Sequence, residues 1–478
     1  MPSSEEPAGT GALARWCLVR RGAEIDTEVA AQAKLLILDA VGCALAASRD
    51  AATAQATVRV VARSGGTPEC TVIGREERTS LTNAVLANGH LVRALDLNDF
   101  YAGPGLLGHP SDNIPVALAA AEQADASGQA VLGSVVMGYE LYCRLLDLMD
   151  PTGRWDHVTA TGLAAPAMAG VLLGLTEDHL ANALALGLLW APTLAAVRSG
   201  QLSAAKGLAN AVVAQLGVQA TLLAANGISG PSEIMESAAG LRALLPAQAP
   251  LDRLTRSEEA RPRLMEASIK PYPCIGTAQS VVAAALLARE RLRGAVRDLS
   301  RIEIQACDAP LVRLHIGDTA RQRPSTRETA DHSLHYLVAV ALLEGEVTPR
   351  QLDDRRWEDP RVVALMRRVE VRVASDLGHG RPQDLACRLV LHPASGEPTV
   401  AEMPFAPGHP NNRLTPAQVA AKFAAGAEGT LARPDAEAVV EEIMAIERRP
   451  SIRPLMDRLR RPARRRAAPS TCAHATRQ

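Results

Sequence analysis

The stretch ALDLNDFYAGPGLLGHPSDNIPVA (residues 94–117) is the most informative part of this chain, because it interrupts two Ala- and Leu-rich helical patterns at 83–95 and 114–126. Its polar side chains are Asp96, Asn98, Asp99, Tyr101, His109, Ser111, Asp112 and Asn113. A loop that only joins two helices rarely needs an imidazole and several carboxylates, whereas proton transfer needs both kinds of group. The sequence therefore predicts a helical protein with reactive groups in an interhelical loop.

Helical patterns dominate the first half of the chain, for example at 28–48, 131–149 and 162–175. Residues 179–197 are apolar enough to suggest a membrane span, but Pro192 and the charged residues just before the segment favour a buried helix. Only 3% of residues are aromatic, so small side chains must fill much of the core. Small side chains let helices approach closely, which predicts a tight helical bundle.

The pattern changes after about residue 265. RIEIQAC (301–307), VEVRVAS (369–375) and LACRLVLH (385–392) are typical of strands. A capping pattern at Thr415 and Gln418 then marks a return to helix. The predicted fold is mostly α. It has a discontinuous all-helical domain (1–266 and 409–452), an inserted smaller α+β lid domain (267–408) and a basic, disordered tail (453–478).

Composition limits the possible functions. The 478 residues carry a net charge of −1, so overall charge draws the protein neither to nucleic acid nor to a membrane surface. The first residues are acidic where a signal peptide would be basic, and we expect a cytoplasmic protein. Eight cysteines without a CxxC motif argue against a zinc ribbon or a disulfide scaffold, and most are expected to be buried thiols.

Further polar groups lie in RWDHVTATG (154–162), RSGQLSAAKGLAN (198–210), SIKPYPCIGTAQ (268–279) and RPSTRETADHSLHY (323–336). His157 in the first segment is suited to acid–base chemistry, although a capping or core histidine explains it equally well. Lys206 lies among Ala and Gly, where solvation is poor, and an anion-binding role is as plausible as a structural one. In the fourth segment, helix capping and interdomain contacts are as good an explanation as catalysis.

These motifs together resemble a known family. DLND…HPSDNIP, RWDHVTATG, AAKGLANA, IKPYPCIGTAQ, RPSTRETADHSLHY and GHPNNRLTPAQVAAKF occur in the order and approximate spacing of the MmgE/PrpD family, over about residues 12–450. The resemblance implies a helical domain built from both ends of the chain, an α+β lid and a homodimer. It also implies chemistry that needs neither a metal nor an organic cofactor.

The resemblance also implies a set of catalytic residues, which are Asp96, His109, His157, Lys206 and Lys270. The residues expected to contact substrate are Asn98, Asp99, Phe100, Tyr272 and Gln279. Carboxylate, imidazole and ammonium groups together suit a small polycarboxylate substrate. The expected reaction is abstraction of a proton α to a carboxylate, followed by loss of water from a 2-methylcitrate-like hydroxy acid.

Three positions depart from the family pattern. Phe100 stands where threonine is common, Asn98 replaces an aspartate, and Ile275 stands where the decarboxylase branch has a histidine. Three alternatives therefore stay open. They are decarboxylation or epimerisation of a related acid, a relative that binds a ligand without turnover, and a metal enzyme using Asp96, Asp99, His109 and His157.

Overall fold

The computed structural model describes residues 9–150, 153–256, 261–378 and 382–460. In these residues the α-helices are α1 Thr10–Arg20, α2 Thr27–Asp50, α3 Ala52–Ser64, α4 Leu81–Arg93, α5 Ile114–Ala124, α6 Gly128–Leu148, α7 Thr161–Leu172, α8 Glu177–Trp190, α9 Ala205–Ala225, α10 Gln279–Arg291, α11 Pro310–Gly317, α12 Arg327–Ala330, α13 Leu334–Glu344, α14 Pro349–Asp353, α15 Pro360–Met366, α16 Pro416–Ala427, α17 Arg433–Met444 and α18 Arg453–Arg458. The strands are β1 Cys70–Thr71, β2 Arg78–Thr79, β3 Tyr101–Ala102, β4 Leu107–Gly108, β5 Leu299–Ala306, β6 Val369–Val373, β7 Cys387–Pro393 and β8 Thr399–Met403. The prediction of a mostly α protein with some β structure is confirmed.

The larger buried core contains residues from both ends of the chain. Helix α2 begins where the Asp26 side chain accepts the backbone N–H groups of Glu28 and Val29, and most of the helix is buried. Helix α16, near the other end of the chain, packs directly against α2. A Cβ on Gly42 would lie 3.1 Å from the Phe423 Cα, so the absence of a side chain there permits this approach. Helices α16–α18 therefore share one core with the first half of the chain.

The end of the described chain differs from the prediction. Residues after 452 were expected to form a disordered tail, but Arg453–Arg458 form α18, in which Leu455 and Met456 are buried. The Leu459 carbonyl accepts the Gly74 backbone N–H at 2.8 Å. The prediction is wrong for residues 453–460, because apolar side chains on one face of this turn pack inward among the arginines. Residues 461–478 lie outside the described residues.

A second buried core contains residues from Cys274 to Ala401. Its four-stranded sheet has the order β6-β5-β7-β8. Strands β5 and β6 are parallel, with Ile302 opposite Val369, and the β5–β7 and β7–β8 pairs are antiparallel. Helices α10 and α13 contribute most of the apolar side chains that cover the sheet. The three strands predicted from sequence are present, and β8 is an addition to them.

Among the helices that the structure describes, two are long and apolar enough to cross a membrane, judged by length and composition alone: Thr27–Asp50 and Ala205–Ala225. In the first, 83% of the apolar window is buried inside the protein, as expected of a core helix, and in the second 50% is buried. The apolar segment at 179–197 forms most of α8 and the segment after it, and the α8 residues that face the core are buried. The cysteines of the described residues are buried, as predicted.

Gly128, at the start of α6, allows the segment after α17 to pack closely. A Cβ at this position would lie 1.9 Å from the Ile446 carbonyl oxygen, and the Gly128 N–H donates to the Arg449 carbonyl at 2.9 Å. We expect Gly128→Ala to lower the free energy of unfolding by about 1–3 kcal/mol through overpacking. Denaturant titration followed by circular dichroism measures this change.

Gly133, on the same helix, is the matched control. Apart from its chain neighbours and the backbone of its own helix, no atom of the described residues lies within 4 Å of a Cβ built there. Gly133→Ala should be neutral or stabilise by up to about 1 kcal/mol, because alanine favours helix. Equal unfolding midpoints for the two variants would contradict the assigned contact.

Candidate active site

The loop between α4 and α5 is folded so that its polar groups point inward. After α4 ends at Arg93, Asp96 adopts a left-handed backbone conformation with φ of 50°. Aspartate tolerates this conformation better than most residues, because its short polar side chain can bond locally. The chain then forms the β3–β4 hairpin and a 3₁₀ turn at Pro110–Asn113, which leads into α5.

Asp96 is the centre of a buried ionic cluster. Its Oδ1 lies 2.8 Å from Arg93 Nη1 and its Oδ2 lies 2.9 Å from Lys206 Nζ. Lys270 Nζ contacts Oδ1 and also donates to the Asp96 carbonyl oxygen at 3.1 Å. Burial alone would raise the pKa of Asp96, but the three cations outweigh it and hold this pKa well below its usual range. Three of the predicted catalytic residues therefore meet.

Asp331 and His332 complete the cluster, and the sequence analysis did not single them out. Lys206 Nζ lies 2.8 Å from Asp331 Oδ1 and 2.9 Å from its Oδ2. His332 Nδ1 contacts Asp331 Oδ1 and lies 3.8 Å from Asp96 Oδ2. Both residues lie in the junction between α12 and α13, a segment that also carries helix caps, as expected. The sequence feature that could have identified them is a pair of adjacent titratable residues between two helix caps.

The two predicted histidines lie beside each other, with ring centroids 5.3 Å apart. His109 Nδ1 donates to the Asp99 carbonyl at 2.7 Å, and its Nε2 accepts from Arg93 Nη2 at 3.0 Å. His157 Nδ1 lies 2.9 Å from the Tyr142 hydroxyl. Burial lowers the pKa of His157 to about 3 and that of His109 well below its usual value. Both imidazoles are therefore neutral near pH 7.

His157 is positioned by its neighbour in the chain. The Asp156 carboxylate accepts the Val158 backbone N–H at 3.1 Å and pairs with Arg198 Nε at 2.9 Å. Burial opposes the charged form, but the Arg198 charge outweighs it and lowers the pKa of Asp156 to about 2. This ionised carboxylate lies 3.7 Å from His157 Nε2. Arg198 therefore holds the start of the 3₁₀ turn that carries His157.

Asn98 and Asp99, two of the expected substrate contacts, are bonded within the loop. Asn98 Nδ2 donates to Ser111 Oγ at 2.9 Å and to Asp112 Oδ1 at 2.8 Å. Asp99 accepts from the Ser111 N–H at 3.1 Å and from the Tyr139 hydroxyl at 2.9 Å. Burial raises the pKa of Asp99 to about 6. These bonds fix the shape of the loop that holds Asp96 and His109.

Phe100, Tyr272 and Gln279 lie at the junction of the two cores. The Phe100 ring belongs to a small apolar cluster, and its backbone bonds to Ser268 in both directions at 2.8–2.9 Å. Gln279 Nε2 donates to the Tyr272 and Cys274 carbonyls, each at 3.0 Å. The Tyr272 side chain packs against the second core. The structure brings these side chains to the segment that carries Lys270, and their contacts are with that segment and the neighbouring apolar residues.

Asp96, Asp331 and His332 have the types of side chain that bind metals, and their ligand atoms lie within 4.8 Å of one another. The Lys206 ammonium lies among all three, at 2.9 Å from Asp96, 2.8 Å from Asp331 and 3.4 Å from His332 Nδ1. A metal ion at this place would have to displace Lys206. The metal-ligand set considered from the sequence, which includes His109, fits a metal ion less well. Both ring nitrogens of His109 already take part in hydrogen bonds.

Asp96→Asn tests the cluster. Asparagine keeps the size of the side chain and also tolerates the left-handed conformation, so the change removes chiefly the charge. We expect a loss of about 3–5 kcal/mol in the free energy of unfolding, because buried cations lose a partner. Denaturant unfolding at pH 7 measures it.

Asp125→Asn is the control for Asp96→Asn. Asp125 has φ of 53° but is exposed, and it pairs with the exposed Arg453 at 3.2 Å. Removing the Asp125 charge should lower the free energy of unfolding by about 1 kcal/mol or less. If Asp96→Asn is no more destabilising than Asp125→Asn, Asp96 does not compensate the buried cations.

Comparison with known proteins supports the family resemblance that the sequence motifs indicated. Residues 11–253 match the MmgE/PrpD N-terminal domain and residues 272–447 match the MmgE/PrpD C-terminal domain. A 2-methylcitrate dehydratase from Cupriavidus necator is 28% identical over 369 residues, covering 73% of this chain and 74% of the relative. The Escherichia coli (strain K12) 2-methylcitrate dehydratase is 26% identical over 371 residues, covering 72% and 74%. A cis-aconitate decarboxylase from Aspergillus terreus is 24% identical over 401 residues, covering 77% and 79%. With both domains matched in order over most of its length, this chain belongs to the MmgE/PrpD family.

Proposed function

We propose that this protein is a hydro-lyase that dehydrates a 2-methylcitrate-like hydroxy polycarboxylate. The observation that carries the proposal is the buried cluster of Arg93, Lys206 and Lys270 around Asp96, together with two adjacent histidines whose pKa values burial lowers. Relatives named 2-methylcitrate dehydratase support this substrate class. A relative named cis-aconitate decarboxylase keeps decarboxylation as the second candidate.

The cations suit the chemistry of the first step. Removing a proton α to a carboxylate places a second negative charge on that carboxylate, in an enediolate-like species. Fixed positive groups that meet this charge lower the barrier, and they act more strongly where water is excluded. Lys206 and Lys270 are almost fully buried, at 2% and 0% exposure. We assign these two lysines, with Arg93, to binding the substrate carboxylates and stabilising the developing charge.

His157 is our candidate for the acid that protonates the departing hydroxyl. The Tyr142 oxygen accepts the His109 backbone N–H at 3.2 Å, so its own hydrogen is directed at His157 Nδ1. The proton of the neutral imidazole is then on Nε2. An anionic substrate nearby raises the pKa of His157 by favouring its charged form, which makes a proton available. His109, whose Nε2 accepts from Arg93, orients that guanidinium.

We further propose that the second core acts as a lid over a helical domain built from both chain ends. Lys270 and Asp331 come from the lid side, whereas Asp96 and Lys206 come from the helical side. The pairs Lys270–Asp96 and Lys206–Asp331 therefore cross between the two parts. In this proposal, opening of the lid separates the charged groups and admits the substrate.

Mass spectrometry of candidate acids tests the activity. Chelator-treated protein is incubated with 2-methylcitrate, citrate and cis-aconitate. We expect loss of water from a hydroxy acid, and at least a ~100-fold lower rate in His157→Gln, because a positioned acid contributes about that much or more. His179→Gln, on α8 outside the cluster, is the matched control and should keep the wild-type rate.

The product separates the alternatives. Loss of carbon dioxide indicates a decarboxylase, and inversion at unchanged mass indicates an epimerase. Binding without any product indicates a relative that does not catalyse turnover. Absence of both binding and product for every acid would refute the proposed substrate class.

We also propose a homodimer that covers the outer face of α9. This helix is apolar, yet Val212 is 36% exposed. Leu189, near the end of the neighbouring helix α8, and Leu194, in the segment after α8, are 46% and 62% exposed. A second copy would remove these side chains from water. We expect sedimentation velocity to show a dimer that Val212→Glu weakens. Val400→Glu, at a comparably exposed site on β8, should leave it intact. A monomeric wild type would contradict this proposal.

A further inference from the structure

His332 is a third buried histidine in the cluster, and its contacts fix the position of its proton. Lys206 Nζ donates to Asp96 Oδ2 and to both oxygens of Asp331 at 2.8–2.9 Å. His332 Nδ1 lies farther from Lys206, at 3.4 Å, and in direct contact with Asp331 Oδ1. A neutral imidazole that contacts a carboxylate through Nδ1 carries its proton there and donates it. The lone pair of His332 is then on Nε2.

Within the described part of the chain, that lone pair has no hydrogen-bond donor. Among the residues that the structure describes, no group forms a hydrogen bond with His332 Nε2. The other two histidines differ, because His109 Nε2 accepts from Arg93 and His157 Nδ1 accepts from Tyr142. Of the three imidazoles in this part of the described chain, His332 is the one with a lone pair available to accept a proton from substrate.

We propose that His332 is the general base that removes the α proton, and that Asp331 orients it and stabilises the imidazolium. This inference rests on the proposed function. The C–H bond breaks, the proton goes to His332 Nε2, and the electron pair enters the adjacent carboxylate as an enediolate. The pair then returns to form the C=C bond while the β C–O bond breaks. The departing hydroxyl takes the proton that His157 gained from solvent when the anionic substrate bound, so His157 returns to its neutral form and the hydroxyl leaves as water. Exchange with solvent restores His332.

The surroundings of His332 support this role. Burial lowers its pKa well below the usual value, and Lys206, Arg321 and Arg198 act in the same direction, so the lone pair is free at neutral pH. The negative charge of Asp96 acts the other way. Arg198 also lowers the pKa of His157, so one guanidinium favours the neutral form of both histidines.

The test uses the full-length protein in D₂O and follows two readouts, product formation and deuterium incorporation at the α carbon of unreacted acid. We expect His332→Gln to lower kcat at least ~100-fold, with little change in KM, and to abolish deuterium incorporation. Asp331→Asn should reduce both rates by a smaller factor. His335→Gln, on α13 next to the cluster, is the matched control and should stay within about threefold of wild type.

The outcomes separate this inference from the proposed function. If wild type neither dehydrates nor exchanges any acid, the proposed function fails, and the base assignment fails with it. If wild type is active and His332→Gln retains its rate or still exchanges the α proton, the function stands and the base assignment is overturned.

If His332→Gln does not fold, His332→Asn is used. The ¹⁵N shifts of wild-type histidines give a readout that needs no active-site variant, because a proton on Nε2 of His332 would also overturn the assignment.

Discussion

Pairing of buried charge is the constraint on which the rest of this structure depends. Isolated ions are costly to bury, so each must have partners. Lys206 meets this requirement by lying between Asp96 and Asp331, and it holds together segments far apart in the sequence. Arg93, Lys206 and Lys270 bring three cations around Asp96, while Asp331 pairs with Lys206 and Asp112 lies 3.8 Å from Arg93 Nε. This concentration of fixed cations supports the proposed negatively charged substrate.

The packing of α4 against α9 determines where these charged side chains lie. Arg93 is the last residue of α4, and Lys206 lies in the first turn of α9. The two helices approach closely, since a Cβ on Gly89 would lie 3.0 Å from the Ala211 Cβ. Small residues therefore do more than fill a core with few aromatic rings. They bring two helix ends close enough for a guanidinium and an ammonium to share the Asp96 carboxylate.

Much of this arrangement could be predicted from the sequence. Helical periodicity gave the helices, and alternation gave three of the four strands in the main sheet. The family motifs identified Asp96, Lys206 and Lys270, which meet in the structure. They also identified the two histidines that lie beside each other. Asp331 and His332 were missed because they lie in a segment whose capping residues explain it locally, while Asp96 and Lys206, which they contact, are more than 100 residues away. Leu455 and Met456 were hidden in an arginine-rich segment, because only tertiary packing shows which face of a short helix is buried.

The shared ion pairs also limit how this site can change through evolution. Replacing Asp96, Lys206 or Asp331 singly leaves the other two with unbalanced charge, so single substitutions incur a penalty that depends on their neighbours. A change that preserves the charge balance requires two coordinated substitutions. The charged centre is therefore expected to diverge slowly. The apolar residues near it, such as Phe100 and Ile275, carry no charge to balance and can vary one at a time.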